Sequence, residues 1–139
     1  MARLLLALAA AVALGVLSRA CPIGWPVYDK SLGDVLYAVA AYLALALALP
    51  QKSTRLVAAA ALVWCLAVET FQATGIPARY AHIPGVRWVL GTTFAWHDIV
   101  CYVVGVAVIT VLDVKLLRRG RAPGGQARRE ALSPVADGP

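Results

Sequence analysis

The chain has 139 residues, of which 61% are hydrophobic and 14% are charged, and its formal net charge is +6. Soluble globular domains average about 45–50% apolar and about 25% charged residues, so the composition excludes an ordinary soluble domain. The basic residues flank apolar runs and do not alternate with aromatic residues along one element, which also excludes a nucleic-acid-binding groove.

Four apolar runs follow one another, over residues 4–17, 35–49, 56–68 and 99–112. Each run alone is shorter than the roughly 20 residues that a helix needs to cross a bilayer. None has the charged face of a soluble amphipathic helix, however, and each reaches spanning length when the polar residues beside it are included. We therefore predict an all-α membrane protein with four transmembrane helices, over about residues 3–19, 32–50, 55–76 and 95–117.

The first run, MARLLLALAAAVALGVLSRA, is similar to a signal peptide, because a basic start precedes an apolar stretch and small residues precede Cys21. Arg19 beside the cleavage position is unusual for such a peptide. We therefore expect this segment to remain as the first helix of a transmembrane domain that extends to residue 117.

Two further segments have a different character. Residues 75–98, GIPARYAHIPGVRWVLGTTFAWHD, contain Gly–Pro breaks and tryptophans that suit a membrane interface. We predict that residues 86–95 form an interfacial or re-entrant segment, whose arginine covers the polar groups below it. The basic tail over residues 118–139 has no apolar period, so we predict that it is disordered and lies near anionic lipid head groups.

The basic residues also predict an orientation. With four spans, nine of them lie on the side of the two termini and four on the opposite side. Because the side with more Lys and Arg is usually cytoplasmic, we predict cytoplasmic N and C termini.

Counting along the helices predicts a layer of polar side chains. Four ionisable residues lie 14 to 17 positions from the basic or proline residue at the other end of their helix, which is roughly 21–25 Å of rise. These residues, Arg19, Asp34, Glu69 and Asp98, should therefore share one level in the outer part of the bilayer. Ionisable groups in a membrane usually face the bundle and find partners. The candidate ligand-binding cluster comprises Arg19, Asp34, Tyr37, Glu69, Gln72, Arg79, Arg87, Asp98 and Tyr102.

No chemistry beyond this cluster is indicated. Cys21, Cys65 and Cys101 lack CxxC spacing, so we predict neither a disulfide framework nor a zinc site. His97 and Cys101 are four positions apart on one helix face, but no second group of ligands accompanies them, and we expect no metal and no cofactor. No nucleophile–base pattern is visible, so we predict no catalytic residues and regard an enzyme as the less favoured interpretation.

Four motifs, GVLSR, SLGDVLYAVAAYL, VETFQ and GTTFAWHDIVCYVVG, occur in order over about residues 12–112. Because it contains these four motifs together and in this order, the chain resembles the bacterial membrane family known as domain of unknown function 2809. That resemblance implies the four-helix architecture but no established activity. More distantly, acids at corresponding helix ends are similar to the VanZ-like family, which is associated with glycopeptide resistance and cell-envelope functions.

Our leading hypothesis is a multi-pass protein of the bacterial inner membrane, whose partners are the bilayer and an envelope lipid or peptide-bearing head group bound at the outward cluster. Acids mixed with arginines suit such a head group, because Arg can take a phosphate or carboxylate in bidentate fashion. The alternatives are a small ion- or proton-coupled transporter subunit and a purely structural or assembly subunit. The oligomeric state stays open.

Overall fold

A computed structural model describes residues 1–21, 23–80, 82–83 and 95–117. All secondary-structure elements over these residues are helices, which confirms the predicted all-α class. The helices are α1 (Ala2–Ala20), α2 (Pro26–Ala48), α3 (Thr54–Ala73), the short α4 (Ile76–Arg79) and α5 (Trp96–Leu112), which continues as a π-helical turn over Asp113–Leu117.

Four of these segments are long and apolar enough to cross a membrane: Ala2–Ala20, Tyr28–Ala48, Thr54–Ala73 and Trp96–Leu116. Large apolar side chains on their outer faces are exposed, among them Leu6, Trp64 and Val103. A soluble chain of this size would have to hide many of these side chains from water, whereas lipid accepts them. The predicted number of spans is therefore confirmed among the described residues.

Local sequence features explain where the helices begin and end. α2 starts at Pro26, well before the predicted position 32, because proline suits the first helical position. The Asp29 carboxylate accepts hydrogen bonds from the backbone N–H groups of Ile23 (3.0 Å) and Gly24 (3.1 Å) and so fixes this start. α3 ends at Ala73 rather than at residue 76, since the chain turns at Gly75 with a φ of 72°, a conformation that favours glycine.

α2 is the central helix, and it packs against α1, α3 and α5, while α3 also packs against α5. Small residues let the helices approach closely. A Cβ atom added at Gly105 of α5 would lie only 2.6 Å from the carbonyl oxygen of Val35 and 3.0 Å from the Cβ of Ala38. The buried core is formed by Leu4, Ala11, Ala38, Tyr42, Leu43, Ala46, Val57, Ala61, Cys65, Tyr102, Val106 and Ile109.

Two of the predicted segments lie outside the described residues. They are residues 86–94 of the interfacial or re-entrant segment and the tail over residues 118–139. Ala95, the last residue of the interfacial segment, forms the N-cap of α5.

Candidate functional site: a carboxylate cluster at one end of the bundle

Three buried acids meet at one end of the bundle. Asp34 of α2, Glu69 of α3 and Asp98 of α5 are 4%, 1% and 2% exposed, and we call them the carboxylate cluster. Asp34 lies one and two helical turns before the core residues Ala38 and Tyr42, so the face of α2 that packs in the bundle also carries the acid. Glu69 and Asp98 likewise lie four positions from the core residues Cys65 and Tyr102, on the packed faces of α3 and α5.

Asp34 binds Arg19 at the end of α1. The guanidinium Nη2 donates to Asp34 Oδ1 at 3.0 Å, and the arginine side chain stays 39% exposed. A Cβ atom at Gly33 would lie 2.9 Å from Arg19 Nε, so the absence of a side chain at that position lets the guanidinium lie across α2. Gly33 therefore helps to position Arg19 beside its acid.

Asp98 binds two groups through one oxygen. Lys30 Nζ and His97 Nδ1 each lie 2.9 Å from Asp98 Oδ1, and the lysine side chain is 38% exposed. His97 Nε2 lies 2.7 Å from Ser31 Oγ, a hydrogen bond that joins the start of α5 to α2. A ligand atom of Asp34, one of His97 and one of Asp98 lie within 4.8 Å of one another. The carboxylates of α2 and α5 therefore form one electrostatic unit.

Glu69 has neutral donors among the described residues. Tyr102 Oη donates to Glu69 Oε2 at 3.0 Å, and the backbone N–H of Ala95 donates to Oε1 at 2.9 Å. Because a charged acceptor strengthens both hydrogen bonds, Glu69 ties the N-terminal turn of α5 to α3. It also stabilises the position of Asp98, which follows Ala95 by three residues.

The other predicted site residues lie in different environments, and only some of them are close to the carboxylate cluster. Gln72 is buried on the same face of α3 as Glu69. Within the described residues, the Tyr37 hydroxyl contacts no carboxylate and accepts a hydrogen bond from Trp64 Nε1 at 3.2 Å. Arg79 lies exposed on α4 and has no ion pair within the described part of the chain. Arg87 lies outside the described residues.

Sequence reasoning missed Lys30, Ser31 and His97 as members of this site. Lys30 and Ser31 precede Asp34 by four and three residues, which puts all three on one helix face. That spacing could have found them, but α2 was predicted to begin at residue 32, which left both outside the helix. The sequence spacing associates His97 only with Cys101, whose Sγ lies 3.5 Å from His97 Nε2.

A second buried acid–tyrosine contact, also missed from sequence, lies at the other end of α5. Tyr42 Oη donates to Asp113 Oδ2 at 2.7 Å, and both residues are fully buried. Asp113 ends the last apolar run, where an acid resembles an ordinary helix-end charge. The composition of the sequence therefore does not predict whether the Asp113 side chain is buried or exposed.

An apolar groove runs between α1 and α2 beside the cluster. It has a volume of about 260 Å³, and Arg19 and Gly33 contribute to its lining. The remaining lining residues are small or apolar apart from the tyrosine: Ala11, Val12, Gly15, Val16, Leu36, Tyr37 and Ala40. The groove thus joins a hydrocarbon-like surface to a half-exposed cation.

The fold and this site define a small helical membrane protein with a buried carboxylate cluster and an adjoining apolar groove. The family described as "Protein of unknown function (DUF2809)" matches residues 23–106, from just before α2 into α5. The chain belongs to this family, and the matched part contains all three acids of the cluster. Searches of curated proteins and of solved structures found no match.

Proposed function

We propose that the protein binds an envelope lipid, with the phosphate of the head group on Arg19 and one hydrocarbon chain in the α1–α2 groove. One observation carries the proposal: Arg19 both lines the apolar groove and forms an ion pair with Asp34. An apolar groove that contains a half-exposed cation is complementary to both parts of an amphiphile.

The hydrogen-bonding capacity of Arg19 supports a phosphate ligand. A guanidinium has five N–H donors, and within the described residues Arg19 donates one hydrogen bond, to Asp34. Asp34 orients the guanidinium and leaves donors for a second acceptor. Because the planar guanidinium matches phosphate in bidentate geometry, a phosphate group suits this position better than a hydroxyl group does.

The size and surroundings of the groove support a single hydrocarbon chain. Its volume of about 260 Å³ is slightly below the roughly 300–1,000 Å³ of sites for drug-sized ligands. α1 packs mainly against α2, so the open side of the groove faces the region that lipid occupies in a membrane. A chain can therefore enter sideways without separating the core helices.

The proposed location is a bacterial inner membrane, with the carboxylate cluster toward the outer surface. The excess of basic residues on the side of the two termini supports this orientation. An outward head-group site would meet envelope lipids after their transfer across the membrane.

Lipid retention measured by native mass spectrometry tests this function. When the protein is transferred into nanodiscs and then freed from them in the mass spectrometer, it should retain a bound phospholipid. It should not retain an uncharged diacylglycerol. Arg19→Ala should lose the lipid because the phosphate has no partner, and Gly15→Leu should lose it because the added side chain fills the groove. Gly33→Ala should weaken retention, since its Cβ displaces the guanidinium.

Arg55→Ala is the matched control. Arg55 is an exposed arginine at the start of α3, at the end of this helix that is far from Glu69 of the carboxylate cluster. Equal loss of lipid from Arg55→Ala and Arg19→Ala would show a general charge effect and contradict the proposal. Preferential retention of a peptide-bearing amphiphile without phosphate would contradict the phosphate assignment.

A proton-coupled transporter is the second candidate, and the Tyr42–Asp113 contact favours it. This contact puts a buried acid at the opposite end of α5 from Asp98, and buried acids in membrane helices often belong to ion pathways. Proton flux into proteoliposomes that is lost in both Asp113→Asn and Asp98→Asn would favour transport. Absence of flux in wild-type protein would exclude it.

A further inference from the structure

Ligand atoms typical of a transition-metal site converge where α2 meets the start of α5. One oxygen each from Asp34 and Asp98 and one ring nitrogen of His97 lie within 4.8 Å of one another. Both carboxylates are more than nine-tenths buried. Carboxylate and imidazole together suit Zn²⁺, Mn²⁺ or Fe²⁺, whereas Mg²⁺ and Ca²⁺ prefer sites made of oxygen alone.

The spacing within this group fits coordination. His97 Nδ1 and Asp98 Oδ1 are 2.9 Å apart. Two ligands at about 2.0–2.2 Å from one ion are separated by roughly 3 Å at right angles and by roughly 3.4 Å at the tetrahedral angle that Zn²⁺ prefers. The present contact between His97 and Asp98 can thus be replaced by two metal bonds with little movement of either side chain.

Two buried carboxylate oxygens indicate that a cation suits this position. Asp34 Oδ2 and Asp98 Oδ1 are both buried, and neither accepts a hydrogen bond of good geometry from a described residue, although buried carboxylate oxygens are normally paired. Asp98 Oδ1 has instead the close ionic contacts with Lys30 Nζ and His97 Nδ1.

We propose that Asp34, His97 and Asp98 bind a divalent transition-metal ion, in competition with the ammonium group of Lys30. Lys30 Nζ contacts the same Asp98 oxygen that would bind the ion. Its side chain is 38% exposed, so it can swing outward when the ion enters. Lys30 therefore acts as an exchangeable internal cation, and its removal strengthens metal binding.

Metal binding is measured with Zn²⁺ by competition against a chromophoric chelator, and with Co²⁺ by its visible absorption. The full-length protein is stripped of metal and studied in uncharged detergent. Wild-type protein should bind one ion. His97→Ala and Asp34→Asn should each lower the affinity by at least about tenfold, since loss of even an outer-shell partner costs about 10–100-fold. Lys30→Gln should raise it.

Glu69→Gln is the matched control, because Glu69 belongs to the same cluster but binds Tyr102 and Ala95 instead. Its affinity for Zn²⁺ should equal that of the wild type. If Asp34→Asn fails to fold, His97→Ala and the Co²⁺ spectrum decide, since the His97 side chain is 41% exposed.

Absence of stoichiometric binding in both wild-type protein and Lys30→Gln would overturn the proposal, as would equal affinities in His97→Ala and wild type. The assay contains no phospholipid, and His97→Ala and Lys30→Gln leave the Arg19–Asp34 ion pair and the groove intact. Its outcome is therefore independent of the outcome of the lipid-retention experiment.

Discussion

The two faces of α2 differ in how closely they pack. Toward α5, Gly105 brings the helices so close that an added Cβ would lie 2.6 Å from a backbone oxygen. Toward α1, a Cβ added at Gly15 would lie 3.7 Å from the Cβ of Leu36, an ordinary contact, and a groove of about 260 Å³ remains open. The tight face fixes the acids, and the loose face leaves room for a ligand beside them.

Substitution of alanine for Gly105 and for Gly15 should show the largest difference in stability between these two faces of α2. We expect Gly105→Ala to lower the free energy of unfolding by about 1–3 kcal/mol, because overpacking forces α2 and α5 apart. Gly15→Ala should change it by less than about 0.5 kcal/mol, as for substitutions without steric conflict. Thermal or denaturant-induced unfolding in detergent measures both, and equal effects would contradict the contrast.

Removal of Lys30 tests how the tight face holds its charges. We expect Lys30→Ala to destabilise the protein by about 1–2 kcal/mol, because it leaves Asp98 buried beside Asp34 without its ammonium partner. This is less than the roughly 3–5 kcal/mol for a fully buried pair, since the Lys30 side chain is 38% exposed.

The double variant Lys30→Ala/Asp98→Asn provides the control. It should recover part of the lost stability, because a neutral amide needs no counter-ion. If unfolding showed that the double variant is as unstable as the sum of the two single variants, the ion pair would have no energetic coupling.

Tyr102 and Tyr37 lie near the same level of the bundle. Removal of either hydroxyl group should lower the free energy of unfolding by a smaller amount, and the two amounts should differ. Tyr102→Phe removes a buried hydrogen bond to Glu69 and should cost about 1–2 kcal/mol, since one partner is charged. Tyr37→Phe removes only the contact with the exposed Trp64 and should cost less than about 0.5 kcal/mol. The same unfolding measurement compares them, and the reverse order would mean that Glu69 is not the acceptor that holds α5.

Counting along the helices predicts a shared level for the three acids, because the helical rise per residue is constant and each span starts at a recognisable boundary. In the structure, Asp34 lies beside Asp98, and Glu69 contacts Ala95 and Tyr102 in the first part of α5. The partners could not be predicted, since they depend on how each helix is rotated about its axis. Within the described residues, Asp98 pairs with Lys30 and Tyr37 pairs with Trp64.

Other features had no sequence pattern to reveal them. The groove depends on the local separation of α1 and α2, which the Ala- and Leu-rich sequence of α1 does not specify. The convergence of Asp34 with His97 joins residues far apart in the chain. The family match supports the fold of residues 23–106, and the more distant VanZ-like resemblance stays a prediction.

Photo-crosslinking tests the central claim, lipid binding between α1 and α2, most directly. A phospholipid with a photoreactive group in its acyl chain would be added to protein in nanodiscs, and the labelled residues mapped by mass spectrometry. We predict labelling concentrated at Val12, Val16 and Leu36 of the groove and its loss in Arg19→Ala. Labelling spread equally over the exposed valines of α5, such as Val100, Val103 and Val104, and unchanged in Arg19→Ala would contradict the account.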